Sequence, residues 1–332
     1  MSEQIKLYVP GMYQPKIVAI GGGHGLSTML RGLKQYSKNI TAIVTVADDG
    51  GGSGMLREEL GILPPGDIRN CILALANTEP TMEQLLDYRF QDGSLAGQSF
   101  GNLFLAAMYG ISDSFDEAVR KMGEVLAITG RVLPVTDEDV HLEAEFDNGE
   151  HCLGESKIFY AKKINHSRIA QVRLVPENPD ALPESLEAIA QADLIIMGPG
   201  SLYTSIIPNF LVKGISEAVA ASDALKVYVM NIMTQDGETE GYTGADHVRA
   251  LLKHAQPGVI DVCVADCAEL SEELLKPYRE EGVGPLVLDR DAITAMGIEV
   301  REYPMAAGER YIRHDPYRLA AAIMEVYREC VR

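Results

Sequence analysis

The residues best able to do chemistry gather in six polar loops. The first is Gly21-Gly22-Gly23-His24-Gly25, followed by Leu26-Ser27-Thr28. Glycines let the chain turn tightly and bring bare N–H groups up to a phosphate, and a helix N-terminus adds partial positive charge. Leu26 stands where a dinucleotide fingerprint has its third glycine, so the loop points to phosphate rather than specifically to NAD. A tight strand-to-helix turn would use the same residues, and His24 by itself reads as a hydrogen-bonded loop residue. The second loop is Asp48-Asp49-Gly50-Gly51-Gly52-Ser53-Gly54. Two adjacent carboxylates can hold Mg²⁺, act as a general base or bond a ribose, and they can equally cap their own turn. Arg57, just downstream, could neutralise phosphate.

In the third loop, Asp67 reads as a helix N-cap, with Arg69 and Asn70 in the first turn. A cation is unfavourable at that end of a helix. Arg69 therefore calls for an anion, either Asp67 or a ligand. The fourth loop, Gly97-Gln98-Ser99-Phe100-Gly101-Asn102, is an N–H cradle or a tight turn. The fifth, Gly198-Pro199-Gly200-Ser201-Leu202-Tyr203-Thr204-Ser205, is rich in hydroxyls and N–H donors and reads as an anion loop. No G-x-S-x-G elbow makes Ser201 a nucleophile. The sixth runs from Asn231 through Gln235 to Thr239, and its amides can read a base or sugar hydroxyls or simply face solvent.

Such loops need a scaffold that brings them to one edge. Residues 16–20, 40–46, 193–197, 226–230 and 259–265 are apolar runs of strand length, each followed by polar or glycine-rich chain. Helical patterns separate them, which predicts parallel strands with both faces covered. Ligands in such sheets bind outside the carboxyl ends of the strands, where these loops fall. Residues 65–129 read as mainly helical, and 286–288 as a further strand. Residues 131–175 alternate in short runs, with a hairpin signal at Asp147-Asn148-Gly149, and read as a small β-rich insertion. Residues 271–281 and 316–332 read as helices, with Ser271 as an N-cap and Pro316 in a first turn. The expectation is an α/β fold, a Rossmann-like, doubly wound, mostly parallel sheet. It forms one domain over 16–332, after an N-terminal extension at 1–15.

Composition narrows the function. Of 332 residues, 46% are hydrophobic, enough for a large core without disulfides. The net charge of −19 argues against nucleic acid and anionic membranes, which need a basic face. No apolar run reaches the roughly 18 residues of a membrane span, and the first residues lack a signal-peptide core. These features predict a cytoplasmic protein that is not membrane-embedded. Five scattered cysteines do not form a disulfide framework, and Cys263 and Cys267, without a second pair, read as small strand-end residues rather than zinc ligands. Together the loops suggest an extended polyoxygenated ligand such as a nucleotide or nucleotide-sugar.

The blocks KIVAIGGGHGLSTMLRGL, TVADDGGGSGMLREELGILPPGDIRNCILALA, GNL at 101–103, GPGSLYTSIIPN and NIMTQDGETEGYT fall in one order. On them the chain resembles the bacterial gluconeogenesis-factor (YvcK-like) family, itself similar in fold to 2-phospho-L-lactate transferase (CofD). The resemblance implies a Rossmann-like cytoplasmic protein with roles in gluconeogenic growth, cell shape and peptidoglycan synthesis. It implies a UDP-sugar ligand, notably UDP-N-acetylglucosamine, no required cofactor and no established catalysis. It also puts the nucleotide near Gly22, Gly23 and Gly25, with Gly198, Gly200, Ser201, Leu202, Thr204 and Asn231 facing the same pocket. The family's tyrosine and arginine contacts fall on Tyr278 and Arg313, and the transferase's carboxylates on Asp48 and Asp49. Expected partners are cell-wall synthesis or regulatory proteins, and a second copy of the chain. Two alternatives remain: a transferase using Mg²⁺ on Asp48 or Asp49, and an NAD-dependent dehydrogenase, which the irregular first loop disfavours.

Overall fold

The structure is a computed structural model and describes residues 13–308 and 311–331. Most of the N-terminal extension expected at 1–15 lies outside the described residues. In chain order the strands are β1 (Ile17–Gly21), β2 (Ile40–Val44), β3 (Arg131–Pro134), β4 (His141–Phe146), β5 (His151–Leu153), β6 (Ile169–Val175), β7 (Leu194–Met197), β8 (Leu225–Val229), β9 (Val262–Asp266), β10 (Glu299–Tyr303), β11 (Ala306–Ala307) and β12 (Arg313–His314). Seven of them form a parallel sheet in the order β10-β9-β8-β7-β1-β2-β3. Every residue of β1, β2 and β7 is buried, because helices cover both faces. This is the expected Rossmann-like sheet.

The chain leaves β1 for β2 and β3 on one side, and returns through β7 to β8, β9 and β10 on the other. The order therefore reverses between β1 and β7, and the loops after these strands splay apart into a crevice. The first helix, Gly23–Leu33, rises from that crevice and packs against helices Gly66–Leu75 and Pro316–Cys330. A Cβ on Gly32 would lie 1.9 Å from the Pro316 carbonyl oxygen, so this contact between helices requires glycine.

Several elements differ from the sequence reading. The second glycine cluster is not a loop: Gly51–Leu60 is a helix, with Gly50 at its N-cap. The strand expected at the start of the β-rich segment, Arg131–Pro134, pairs with β2 as the edge of the main sheet. Only β5-β4-β6 form the small antiparallel sheet, around the expected hairpin turn at Asp147-Asn148-Gly149. That sheet is interrupted by an unanticipated helix, Glu155–Asn165. Residues 286–288 form no strand, and Val287 makes a single bridge to Thr243. The seventh strand is β10 instead. Cys263 is buried in β9 and Cys267 is exposed.

A two-stranded ribbon, β11 with β12, pairs Ala306 with His314 and Ala307 with Arg313. Asp266, the last residue of β9, anchors it. Its carboxylate accepts the N–H groups of Met305 at 2.6 Å and Ala306 at 2.7 Å.

Candidate functional site

At the reversal point lies a cavity of about 490 Å³. Its floor is the glycine loop and first helical turn, from Gly22 to Gly25 with Thr28. Gly22 is an extended N-cap without a side-chain cap bond, so the N-terminal N–H groups of an 11-residue helix face the cavity. One of them is satisfied from below, since the Asp67 carboxylate accepts the Gly23 N–H. Two glycines are required by close approach. A Cβ on Gly25 would lie 2.3 Å from the Pro199 carbonyl oxygen, and one on Gly22 would lie 2.6 Å from an Asp67 oxygen.

The opposite wall comes from the loops after β7 and β8, which lock together before any ligand arrives. Asn231 accepts the Gly200 N–H at 3.3 Å through Oδ1 and donates through Nδ2 to the Gly200 carbonyl at 2.9 Å. The Ser201 hydroxyl donates to Gln235 Oε1 at 2.9 Å. Buried Glu238 accepts the N–H groups of Tyr203 at 2.9 Å and Thr204 at 3.1 Å. The loop read as an anion loop thus already holds an anion, a carboxylate of the chain itself. Burial outweighs these bonds and pushes Glu238 up to about 7.

The third side is apolar and cationic. Ile232, Met233, Tyr278 and Ile312 line it, and Arg313 stands exposed at the rim. The Tyr278 hydroxyl accepts the Ile312 N–H at 2.8 Å, which ties helix Glu272–Glu280 to the ribbon that carries Arg313. His24 faces this charge across the opening: burial, then the nearby Arg313 and Arg69, lower its pKa and keep the ring neutral near pH 7.

Of the sequence-predicted residues, Gly22, Gly23, His24, Gly25, Gly200, Ser201, Asn231, Gln235, Tyr278 and Arg313 converge on this cavity. Gly198, Leu202 and Thr204 belong to the adjoining turn, where Leu202 is fully buried and the Thr204 N–H is taken by Glu238. Arg69 pairs with Asp87 at 2.9 Å, and its charge also interacts with Asp67 and with His24 of the cavity. Asn70 follows it in the same helix, off the cavity wall. Asn102 is buried in helix Phe100–Tyr109, whose N-cap Ser99 accepts its N–H at 3.2 Å. Arg57 is bound to Asp139 and to the Val140 carbonyl, joining helix Gly51–Leu60 to the segment before β4.

Asp48 and Asp49 lie beyond the floor, at the end of β2. Asp48 Oδ1 accepts the Gly50 N–H at 2.9 Å, its own turn. Asp49 Oδ1 accepts the Ser156 N–H at 2.8 Å and so holds the first turn of helix Glu155–Asn165. With Asp67 and Glu155 they form an acidic neighbourhood. Burial, reinforced by the charge of Asp48, raises Asp67 to about 7 and Glu155 to about 8. Burial also raises Asp48, against bonds from Gly50 and Ser53. Among the described residues, no group of three or more His, Cys, Asp or Glu side chains is arranged to hold a metal ion.

Sequence reasoning gives no role to Glu155, Glu238 or His314, and reads Asp67 as a helix N-cap or the partner of Arg69, whereas the N-cap is Pro65 and Asp67 lies in the first turn. Glu238 and Asp67 stand in the sixth and third loops, but nothing in their spacing shows which groups they meet; Glu155 and His314 stand in none of the six loops, and the tertiary fold alone brings them here.

Comparison with known proteins follows the same outline. The profile of the family described as 2-phospho-L-lactate transferase CofD matches residues 17–306. The gluconeogenesis factor of Bacillus subtilis is 48% identical over 318 residues, covering 95% of this chain and 99% of its own. That of Halalkalibacterium halodurans is 44% identical over 316 residues, covering 95% and 97%. A crystal structure of a UPF0052-family protein from Bacillus halodurans matches with a TM-score of 0.91 at 43% identity, over 95% of this chain and 100% of that one.

Proposed function

The chain belongs to the CofD family, among the gluconeogenesis factors, and on that premise we propose that it is a UDP-sugar-binding regulatory protein. Its role is in growth on gluconeogenic carbon sources, cell shape and peptidoglycan synthesis, and UDP-N-acetylglucosamine is the favoured ligand. The observation that carries this reading is the cavity between β1, β7 and β8. There the free N-terminal N–H groups of the first helix and Arg313 face the same space. Both favour a diphosphate. The cavity volume is that of a small-molecule site, and an apolar wall on one side with carboxylates beyond the other suits a ligand with a flat base and a hydroxyl-rich sugar. Occupancy reports precursor supply to cell-wall synthesis or regulatory proteins in the cytoplasm, from a monomer or a homo-oligomer. No described helix is long and apolar enough to cross a membrane.

A second reading, a transferase acting on a nucleotide-activated substrate, draws on the carboxylates of Asp48, Asp67 and Glu155. Raised carboxyl pKa values cluster at functional sites. The Mg²⁺ expected on Asp48 or Asp49 has no ready-made ligand set among the described residues, and Asp49 is committed to Ser156.

One calorimetric titration separates these readings. UDP-N-acetylglucosamine is titrated with and without Mg²⁺, with GDP and NAD as controls. Selective micromolar binding independent of Mg²⁺ is expected, weakened at least about tenfold by Tyr278→Ala with Arg313→Ala, the loss of one charged contact. Preference for GDP, or a requirement for Mg²⁺, would move the assignment to the transferase. Absence of any UDP-sugar binding overturns the proposal.

A further inference from the structure

His24 is the only ionisable side chain of the first glycine loop, and by itself it reads as a hydrogen-bonded loop residue. The structure places it differently. It lies in the first turn of helix Gly23–Leu33, is exposed, and lines the cavity together with Arg313. Its backbone carbonyl accepts the Ser27 hydroxyl at 3.0 Å, but among the described residues its ring has no hydrogen-bond partner. Both ring nitrogens are therefore available to a ligand in the cavity.

The charges that face this ring are mostly positive. Arg313 comes from the ribbon, Arg69 from helix Gly66–Leu75 and Arg31 from its own helix, while Asp87, at the end of helix Pro80–Asp87, opposes them. The helix N-terminus adds partial positive charge. Partial enclosure first, and then these cations, keep the imidazole neutral near pH 7. Other ionisable groups stand close by. Asp67, below the floor, and Glu238, in the opposite wall, are both raised to about 7 by burial. His314, lowered to about 4, stays neutral near pH 7, and Tyr278 has its hydroxyl tied to the Ile312 N–H. A diphosphate in this space reverses the sign of the field at His24, and a close opposite charge favours the imidazolium.

We propose that His24 binds the diphosphate as an imidazolium, so that association draws a proton from solvent. The inference rests on the UDP-sugar reading of the same cavity. The proton passes from water to the free ring nitrogen, and no bond of the ligand breaks. The ligand, a diester of diphosphate, is fully ionised near neutral pH and takes up no proton itself. The complex thus holds more protons than its separate components, and affinity rises as pH falls. Occupancy at a fixed ligand concentration then depends on pH.

The test is calorimetric titration of the full chain with UDP-N-acetylglucosamine at about pH 6, 7 and 8, where imidazole titrates. Each titration is run in a pair of buffers of different ionisation enthalpy, whose difference in heat counts the protons taken up. Wild type is expected to take up about half a proton or more near pH 7 and to bind about tenfold tighter at pH 6 than at pH 8, the scale on which a close opposite charge moves an ionisation equilibrium. His24→Gln keeps a hydrogen-bonding side chain that cannot titrate. It should lose most of the uptake and most of the pH dependence, with an affinity near that of wild type at the alkaline end. A variant that merely disturbed the loop would bind more weakly at every pH and keep the uptake. Uptake undiminished in His24→Gln assigns the proton to Asp67 or Glu238 and overturns the inference. Wild-type affinity independent of pH overturns it too, and either result leaves the UDP-sugar reading standing. If His24→Gln fails to fold, His24→Thr makes the same comparison. If wild type binds UDP-N-acetylglucosamine at none of these pH values, both readings fall.

Discussion

At the scale of single residues, the site depends on atoms that are missing. Gly25 lets the first helix approach the backbone of Pro199 and Gly200 so closely that one methyl group cannot be inserted. The clash would be with backbone on both sides, so no side-chain rotation relieves it. Gly25→Ala should therefore push the β1 and β7 loops apart and weaken UDP-sugar binding at least about tenfold, on the order of 1.4 kcal/mol or more. Titration calorimetry checks this, and near-wild-type affinity would mean the crevice is softer than its packing indicates. The glycines were legible in the sequence as a phosphate motif. Their partner across the crevice was not, because close approach between the first and fifth loops is a tertiary fact.

At the scale of elements, legibility follows burial. Strands β1, β2, β7, β8 and β9 are mostly or wholly buried and read as short apolar runs. β10, with the sequence EVREY, is an edge strand with one fully buried residue, and its charges hide it. Helix Gly51–Leu60 opens with glycines that look like loop. Helix Glu155–Asn165 leaves Tyr160 and Ile164 exposed, so no apolar stripe announced it. The same dependence on tertiary contact governs the turn after β7. Glu238→Ala would leave the N–H groups of Tyr203 and Thr204 buried without an acceptor. The expected loss is about 1.5–3 kcal/mol of unfolding free energy, the range for hydrogen bonds to a charged group. Urea denaturation measures it, and a loss below about 0.5 kcal/mol would show that the clasp is dispensable.

At the scale of the whole molecule, three carboxyl groups tie stability to pH. Glu155 is raised to about 8, and Asp67 and Glu238 to about 7. In the unfolded chain such groups release their protons near pH 4. Between about pH 4 and pH 8 these three groups bind more protons in the folded state than in the unfolded one, so their contribution falls as pH rises, while His24, His247, His254 and His314, all lowered by burial, oppose it up to about pH 6.5. These contributions are fully present below about pH 4 and lost by about pH 8. The thermal midpoint of wild type should therefore decline from about pH 7 to about pH 8.5, above the histidine range, and Glu155→Gln, which cannot titrate, should flatten that decline. A variant with the wild-type slope would place the Glu155 carboxyl in ordinary solvent.

The clasp between the loops after β7 and β8 has a kinetic meaning. Asn231, Gln235 and Glu238 already satisfy the groups that a free loop would have to order around its guest. Little conformational entropy remains to be lost on association. Docking into such a frame resembles a key entering a finished lock, and these two loops change little on occupancy. Whatever reads occupancy must then look elsewhere: at the guest's own exposed end, or at the Asp266-tethered ribbon, which reaches the cavity from outside that frame.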